Sequence, residues 1–357
     1  MYFYLRPVSA EIAPKPLNLW KLLIPLAIGI GSSAFLLYKM NLNELYKVTL
    51  TQKLIVGLLL AAITVVLRDG AFMYKIWLSS GKHMTWRKTF QTITMWEFSA
   101  CVTPKVSEAP FILFILKQSG LSYGKSVAVL MLNAFLDNMA FVVVWTILYL
   151  LLGSQMLTFG YNCADLAGKP VLQTLRNFGS YAWIGYLLIL GLSLFLAVAL
   201  FIVPHATRKF FHYMATLPLL NRFKSGLIEL GNEVELTAHE FKGKSTSFWV
   251  GMCVATFINW IARYLLAVAL LYAFAVTDFN FLLSLSRQYV LWIFTGVPST
   301  PGAAGVAEVS FTALNCEFAP QGLAAAIAVV WRLYSYYFYI ALGLLLLPKW
   351  ARQIAGR

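Results

Sequence analysis

The chain has 357 residues, of which 60% are hydrophobic and 12% charged, with 28 Lys and Arg against 14 Asp and Glu. A soluble globular domain carries roughly 25% charge, so the composition excludes a water-soluble fold and points to an all-α integral membrane protein. The surplus of +14 reads as attraction to an anionic membrane surface, and no nucleic acid partner is expected.

Taken in order, residues 1–18 are polar, contain three prolines and show no signal-cleavage pattern, so they read as a cytoplasmic amino-terminal segment. About 20 apolar residues cross a bilayer, and Leu19–Tyr38 meets that length. Lys53–Leu67 is a second span, ending at Arg68-Asp69, which reads as an interfacial anchor, or extending towards Trp77. Lys75, Lys82, Arg87 and Lys88 then suggest a basic loop. Phe90–Val102 stops at Thr103-Pro104 and resumes as Pro110–Leu116, and neither half is long enough to cross. Ser126–Leu152 is a third span, and the loop to Ser180 has few positive charges. Tyr181–Val203 is the fourth.

Pro204–Thr246 is a polar insertion. Phe223, Leu227, Leu230, Val234 and Phe241 recur there at helical spacing among Lys224, Glu229, Glu233 and Glu235, the pattern of an amphipathic helix. It is expected to lie on the membrane or cap the bundle. Phe248–Phe274 is the fifth span. A short apolar run from Tyr289, a break, and a second half to Cys316 precede the last span, Leu323–Leu347. Residues 348–357 form a cytoplasmic tail. One polytopic membrane domain, residues 19–347, accounts for nearly the whole chain.

The break after Tyr289 is the most informative stretch. Gly296–Glu308 holds two prolines and three glycines in thirteen residues, which a continuous helix does not accommodate. Broken backbone survives at membrane depth only where it is buried in protein or lines a wet cavity. T-P-K-V-S-E at Thr103–Glu108 resembles T-P-G-A-A-G-V-A-E at Thr300–Glu308. Each is followed by a short apolar half and a long span with an embedded charge, Asp137 in one and Arg332 in the other. Three spans lie between them, so two broken hairpins in inverted repeats, entering from opposite faces, are expected. Such paired interruptions mark substrate sites in transporters.

Glu97, Glu108, Asp137, Arg263, Glu308 and Arg332 fall in apolar segments or at their breaks. Unpaired, six such groups would cost on the order of 15 kcal/mol. They therefore pair with one another or face water. Glu308 with Arg332 or Arg263, and Asp137 with Arg263, are the couples expected. Arginine grips phosphate bidentately, and Lys105 offers a further contact from the cytoplasmic side. Lys105, Glu108, Asp137, Arg263, Glu308 and Arg332, with Pro301, Gly302 and Gly305, make a candidate binding site for an anionic lipid head group.

Enzyme signatures are weak. His83, His205, His212 and His239 are placed in loops and lack HExxH spacing. No nucleophile elbow and no phosphate-binding lysine loop occur. Cys101, Cys163, Cys253 and Cys316 show no CxxC spacing and read as small buried hydrophobes. No catalytic residue, metal ligand or cofactor is expected. A count of Lys and Arg gives eighteen on the side of both termini and six on the other, which places the termini in the cytoplasm.

P-S-T-P-G-A-A-G-V-A-E, with W-R-L-Y-S-Y-Y about 22 residues on, resembles the lysylphosphatidylglycerol synthase transmembrane family, flippase-like proteins also grouped as UPF0104. Arg68, the Thr-Pro near residue 103, L-K-Q-S-G-L-S from Leu116 and the Asp137 span fit as well. At the first break Lys105, Ser107 and Glu108 stand where the family has glycines. The resemblance implies a lipid-translocating bundle with re-entrant helices in a bacterial-type inner membrane, and carries over to Pro301, Gly302, Gly305, Glu308 and Arg332. The synthase domain of the best-known members is not expected in this chain. The leading expectation is a flippase for an anionic lipid or lipid-linked intermediate. The alternative is a membrane scaffold for a lipid-modifying or glycosyltransferase enzyme, working through residues 219–242. A homo-oligomer is compatible with either.

Overall fold

The computed structural model describes Gly31, Tyr38 and residues 51–103, 105–157, 178–217, 224–274, 279–296, 300–319 and 323–355. Among the described residues there are helices and no strands. Five helices are long and apolar enough to cross a membrane: Gln52–Ser79, Tyr123–Leu157, Gly179–Ile202, Thr246–Phe274 and Leu323–Trp350. These are the second to sixth expected spans. The first, Leu19–Tyr38, lies almost wholly outside the described residues.

Helix α1 (Gln52–Ser79) starts where Thr51 Oγ1 accepts the Leu54 amide at 3.2 Å. It runs twelve residues past Leu67, so Arg68 and Lys75 lie inside a helix and are buried. This corrects the reading of Arg68-Asp69 as an interfacial anchor and of Lys75 as part of a loop. An apolar run ends at its first charge, but a helix continues when that charge finds partners. Helix α1 packs along α8 (Thr246–Phe274). A Cβ at Gly57 would lie 2.3 Å from Ala273 Cβ. Small residues allow this close approach, which matters where lipid supplies no hydrophobic drive between helices.

Helices α2 (Trp86–Val102) and α3 (Lys105–Gln118) form a hairpin broken at Thr103. Its open end is tied by Thr92 Oγ1 and Ser119 Oγ, 2.6 Å apart. Helix α4 (Tyr123–Leu152) leaves that same end, with Ser122 as its cap. It continues through a short 3-10 turn, Gly153–Leu157. Helix α5 (Phe178–Ala197) follows, ending in a π-turn at Val198–Ile202.

The polar insertion forms two helices, α6 (Pro204–Met214) and α7 (Lys224–Lys242). Val234, Ala238 and Phe241 of α7 are buried, so of its two expected settings this helix caps the bundle. One carboxylate oxygen of Glu233 accepts the Gly124 amide at 2.7 Å and the Ser122 hydroxyl at 2.9 Å. A negative charge at the amino end of α4 is favoured by the helix dipole. His205 and His212 lie in α6 and His239 in α7, which corrects their placement in loops.

A second hairpin is built from α9 (Phe281–Gly296) and α10 (Val306–Asn315). Gln288 Nε2 donates to Asn315 Oδ1 at 2.8 Å near its open end. Arg287 joins this end to the far end of α4, donating to the Met156 carbonyl at 3.3 Å and to Glu317 at 2.7 Å. The two hairpins therefore open at opposite ends of the bundle. Helix α11 (Leu323–Arg332) and α12 (Phe338–Ala355), joined by a π-turn at Leu333–Tyr337, complete the chain. A helix rises about 1.5 Å per residue. The hairpin helices, with 17, 14, 16 and 10 residues, each fall short of the 20 or so needed to span.

The four cysteines do not share one role. Cys101 is a buried free thiol, Cys253 is an exposed one, and Cys316 is disulfide-bonded. Cys163 lies outside the described residues. Single cysteines introduced at Lys82 and Ser154, at opposite ends of the bundle, are expected to react with an impermeant maleimide from opposite sides of sealed vesicles. Labelling of both from one side would rule out this arrangement.

Candidate functional site

The tips of the two hairpins meet. The 3-10 turn Pro301–Ala303 packs on both α2 and α3. Gly302 has φ +57°, and a Cβ there would lie 2.3 Å from the Tyr336 ring and 3.0 Å from the Cys101 carbonyl oxygen. Glycine is therefore required twice over, by conformation and by space. Gly305 has φ +86° but open space around it. Ala303, at φ +53° and buried, is held in the left-handed region without that freedom.

Two ion-pair systems flank this contact. In the first, Arg332 Nε donates to Glu308 Oε1 at 2.8 Å, and Arg332 Nη2 to the Gly302 carbonyl at 2.9 Å. The other Glu308 oxygen accepts the Gly305 amide at 2.8 Å. Glu308 and Arg332 are both buried. Arg332 also lies over the Tyr336 ring, 4.4 Å from its centroid. The expected Glu308–Arg332 couple thus forms, and it clamps the turn that Pro301 opens.

In the second system, Arg263 Nη2 donates to Glu97 Oε1 at 2.7 Å. Arg68 Nη2 lies 3.5 Å from the other oxygen of Glu97 and 2.9 Å from Asp69. The Tyr339 hydroxyl donates to Asp69 at 2.8 Å. Arg263 therefore pairs with Glu97 and not with Asp137, which corrects the expected couple. Asp137 instead accepts from Trp260 Nε1 at 2.6 Å and from Lys75 Nζ at 2.5 Å.

A cavity of about 140 Å³ opens between the two systems, lined by Arg68, Glu97, Arg263, Gln288, Arg332 and Tyr336 among others. Leu266, Ala267, Leu291 and Trp292 give it an apolar wall. Most of the lining is buried, but Arg263, Trp292, Thr295 and Ser335 keep partial exposure, so the cavity reaches the surface. Buried Arg263 Nε, Tyr264 Oη and Gln288 Oε1 make no hydrogen bond among the described residues. Buried polar atoms are nearly always satisfied by protein, water or ligand.

Of the expected site residues, Arg263, Gly302 and Arg332 line the cavity, and Pro301, Gly305 and Glu308 build the turn beside it. Asp137 belongs to the Lys75 pair. Glu108 is half-buried in the first turn of α3. The side chain of Lys105 lies outside the described residues. Arg68, Asp69 and Gln288 were not among the expected site residues. Glu97 stood out only as an embedded acid. Its position six residues before the Thr103-Pro104 break, against that of Arg263 in an unbroken span, was the usable signal.

Two outcomes follow from this geometry. Gly302→Ala should lower the melting temperature in detergent more than Gly305→Ala, because only the first adds overlap to the backbone strain of about 1–3 kcal/mol. Asp137→Leu, which leaves the buried Lys75 ammonium alone, should destabilise by about 3–5 kcal/mol, and adding Lys75→Met should recover most of that loss. Denaturation followed by tryptophan fluorescence measures both.

Comparison with known proteins agrees with this architecture. The family described as "Lysylphosphatidylglycerol synthase TM region" matches residues 22–343. A protein of Archaeoglobus fulgidus described as a UPF0104 membrane protein is 26% identical over 255 residues, covering 69% of this chain and 71% of that one. No solved structure matches. The family match embraces both hairpins and the cavity between them, and the chain belongs to the lysylphosphatidylglycerol synthase TM region family.

Proposed function

We propose that the protein is a lipid flippase-like transporter. Its cavity would receive the anionic, phosphate-bearing head group of a lipid or lipid-linked intermediate, leaving the acyl chains in the bilayer. The observation that carries this reading is the set of three arginines, Arg68, Arg263 and Arg332, gathered in one cavity where two broken hairpins meet. The carboxylates of Asp69, Glu97 and Glu308 hold these guanidiniums in place. Each guanidinium has five donors, so N–H groups remain for phosphate oxygens after the carboxylates are served. The apolar wall suits the glycerol end of a lipid.

On this reading the hairpins are re-entrant, one from each leaflet, and rocking one against the other about the Gly302 contact would give alternating access. The three acids balance the three arginines, so an entering anion adds uncompensated charge.

Orientation in a bacterial-type inner membrane, with both termini cytoplasmic, has two supports. Removing the buried Arg68 and Lys75 from the eighteen positive residues on one side, and the buried Arg287 from the six on the other, leaves sixteen against five. Cys316, at the open end of the second hairpin, is disulfide-bonded, and disulfides persist outside the reducing cytoplasm. The chain's own residues supply binding and charge balance, and no covalent step is assigned to them.

The test is translocation of a fluorescent phosphatidylglycerol in proteoliposomes, with phosphatidylcholine as the neutral comparison. The wild-type chain should move the anionic lipid preferentially. Arg332→Lys, which keeps the charge but loses the planar fork, should slow it by at least about tenfold, and Arg263→Gln should do the same. Equal rates in both variants would remove the arginines from the path.

A further inference from the structure

At the end of the bundle where α4 begins, helices α6 and α7 pack closely side by side. A Cβ at Gly231 of α7 would lie 3.0 Å from Phe211 Cβ and 3.2 Å from the Arg208 carbonyl oxygen of α6. This approach brings three donor groups together outside the membrane cavity. His205 Nδ1 of α6 contacts Glu235 Oε1 of α7. One helical turn on, His239 Nε2 lies 3.9 Å from the same oxygen. The three ligand atoms lie within 4.8 Å of one another.

We propose that His205, Glu235 and His239 form a binding site for a divalent transition metal of the zinc class. The donor set is two imidazoles and one carboxylate, which zinc accepts at about 2.0–2.2 Å with a fourth position left for water. Tetrahedral geometry at those bond lengths puts ligand atoms about 3.3 Å apart. The histidine side chains are 68% and 50% exposed, so rotation of χ angles closes the site without moving either helix.

Glu235 is the fixed point. Its side chain is only 9% exposed, and Arg208 Nη1 holds its other oxygen at 3.1 Å. That contact turns Oε1 towards both histidines, the role that outer-shell partners play around metal ligands. Glu235 and His239 share one face of α7, while His205 arrives from another helix thirty residues earlier. No spacing rule along the chain reveals such a set.

The physical consequence is a clamp. The metal would fasten α6 to α7, and α7 is seated on the amino end of α4 through Glu233 and through Lys125–Glu240 at 3.7 Å. Metal loading would thus stiffen the capping helices against the first hairpin's open end.

The test uses the full-length protein in detergent, purified through a tag free of histidine and stripped with chelator. Zinc alone is added, and binding is read by competition with a chromophoric chelator. One zinc per chain is expected. His205→Ala and His239→Ala should each weaken binding by at least about tenfold. His212→Ala should leave it unchanged, because His212 bonds Asn232 at 3.2 Å and stands outside the cluster. Cobalt in place of zinc should give the intense visible bands of a four-coordinate site in the wild type, and lose them in the double variant His205→Ala/His239→Ala. A wild-type chain that takes up no zinc at micromolar concentration, or a double variant that binds it as the wild type does, would overturn the proposal.

Discussion

The structure depends on one contact, the meeting of two hairpin tips at Gly302. The helices of each hairpin stop at the tip, in backbone that has lost its helical partners. Lipid offers none. The second tip is satisfied by Arg332, which takes the Gly302 carbonyl while holding Glu308, and by Glu308, which takes the Gly305 amide. One ion pair thus replaces the missing turn of helix. The first tip lies against the second, with the Cys101 carbonyl facing Gly302. Any side chain at that position would push the tips apart.

Beside the same contact, buried charge is paired. Three arginines and three acids are arranged so that each guanidinium touches a carboxylate. Buried pairs of this kind contribute little net stability, so their presence is better understood through what they hold ready. On the proposed reading they hold three guanidiniums ready for a phosphate. The Lys75–Asp137 pair is set apart from it, joined through Trp260, whose ring also lies under Arg263 at 5.3 Å.

The internal resemblance of the two hairpins is therefore not carried into their chemistry. Arg332 folds back on the glutamate of its own hairpin. Asp137, the matching charge in the first unit, joins Lys75 of α1. Two similar sequence motifs thus end in one clamp within a hairpin and one staple between helices.

Hydropathy by itself determined the class, five of the six expected spans and the two breaks. Apolar runs of about 20 residues have one stable solution in a bilayer, and a proline removes the amide hydrogen that a continuing helix needs. The Glu308–Arg332 couple was legible as one of two pairings open to Glu308, the other being Arg263. Tertiary structure alone decided the partners of Arg68, Lys75, Asp137 and Arg263. Apart from the neighbouring Arg68 and Asp69, each pair joins different helices, and a carboxylate attracts any cation within reach without regard to sequence distance. The extent of α1 was decided in the same way. A charge ends an apolar run on paper, but a helix continues past it where that charge finds a partner. The His205–Glu235–His239 cluster was invisible for the same reason, because it exists only where two helices pack side by side.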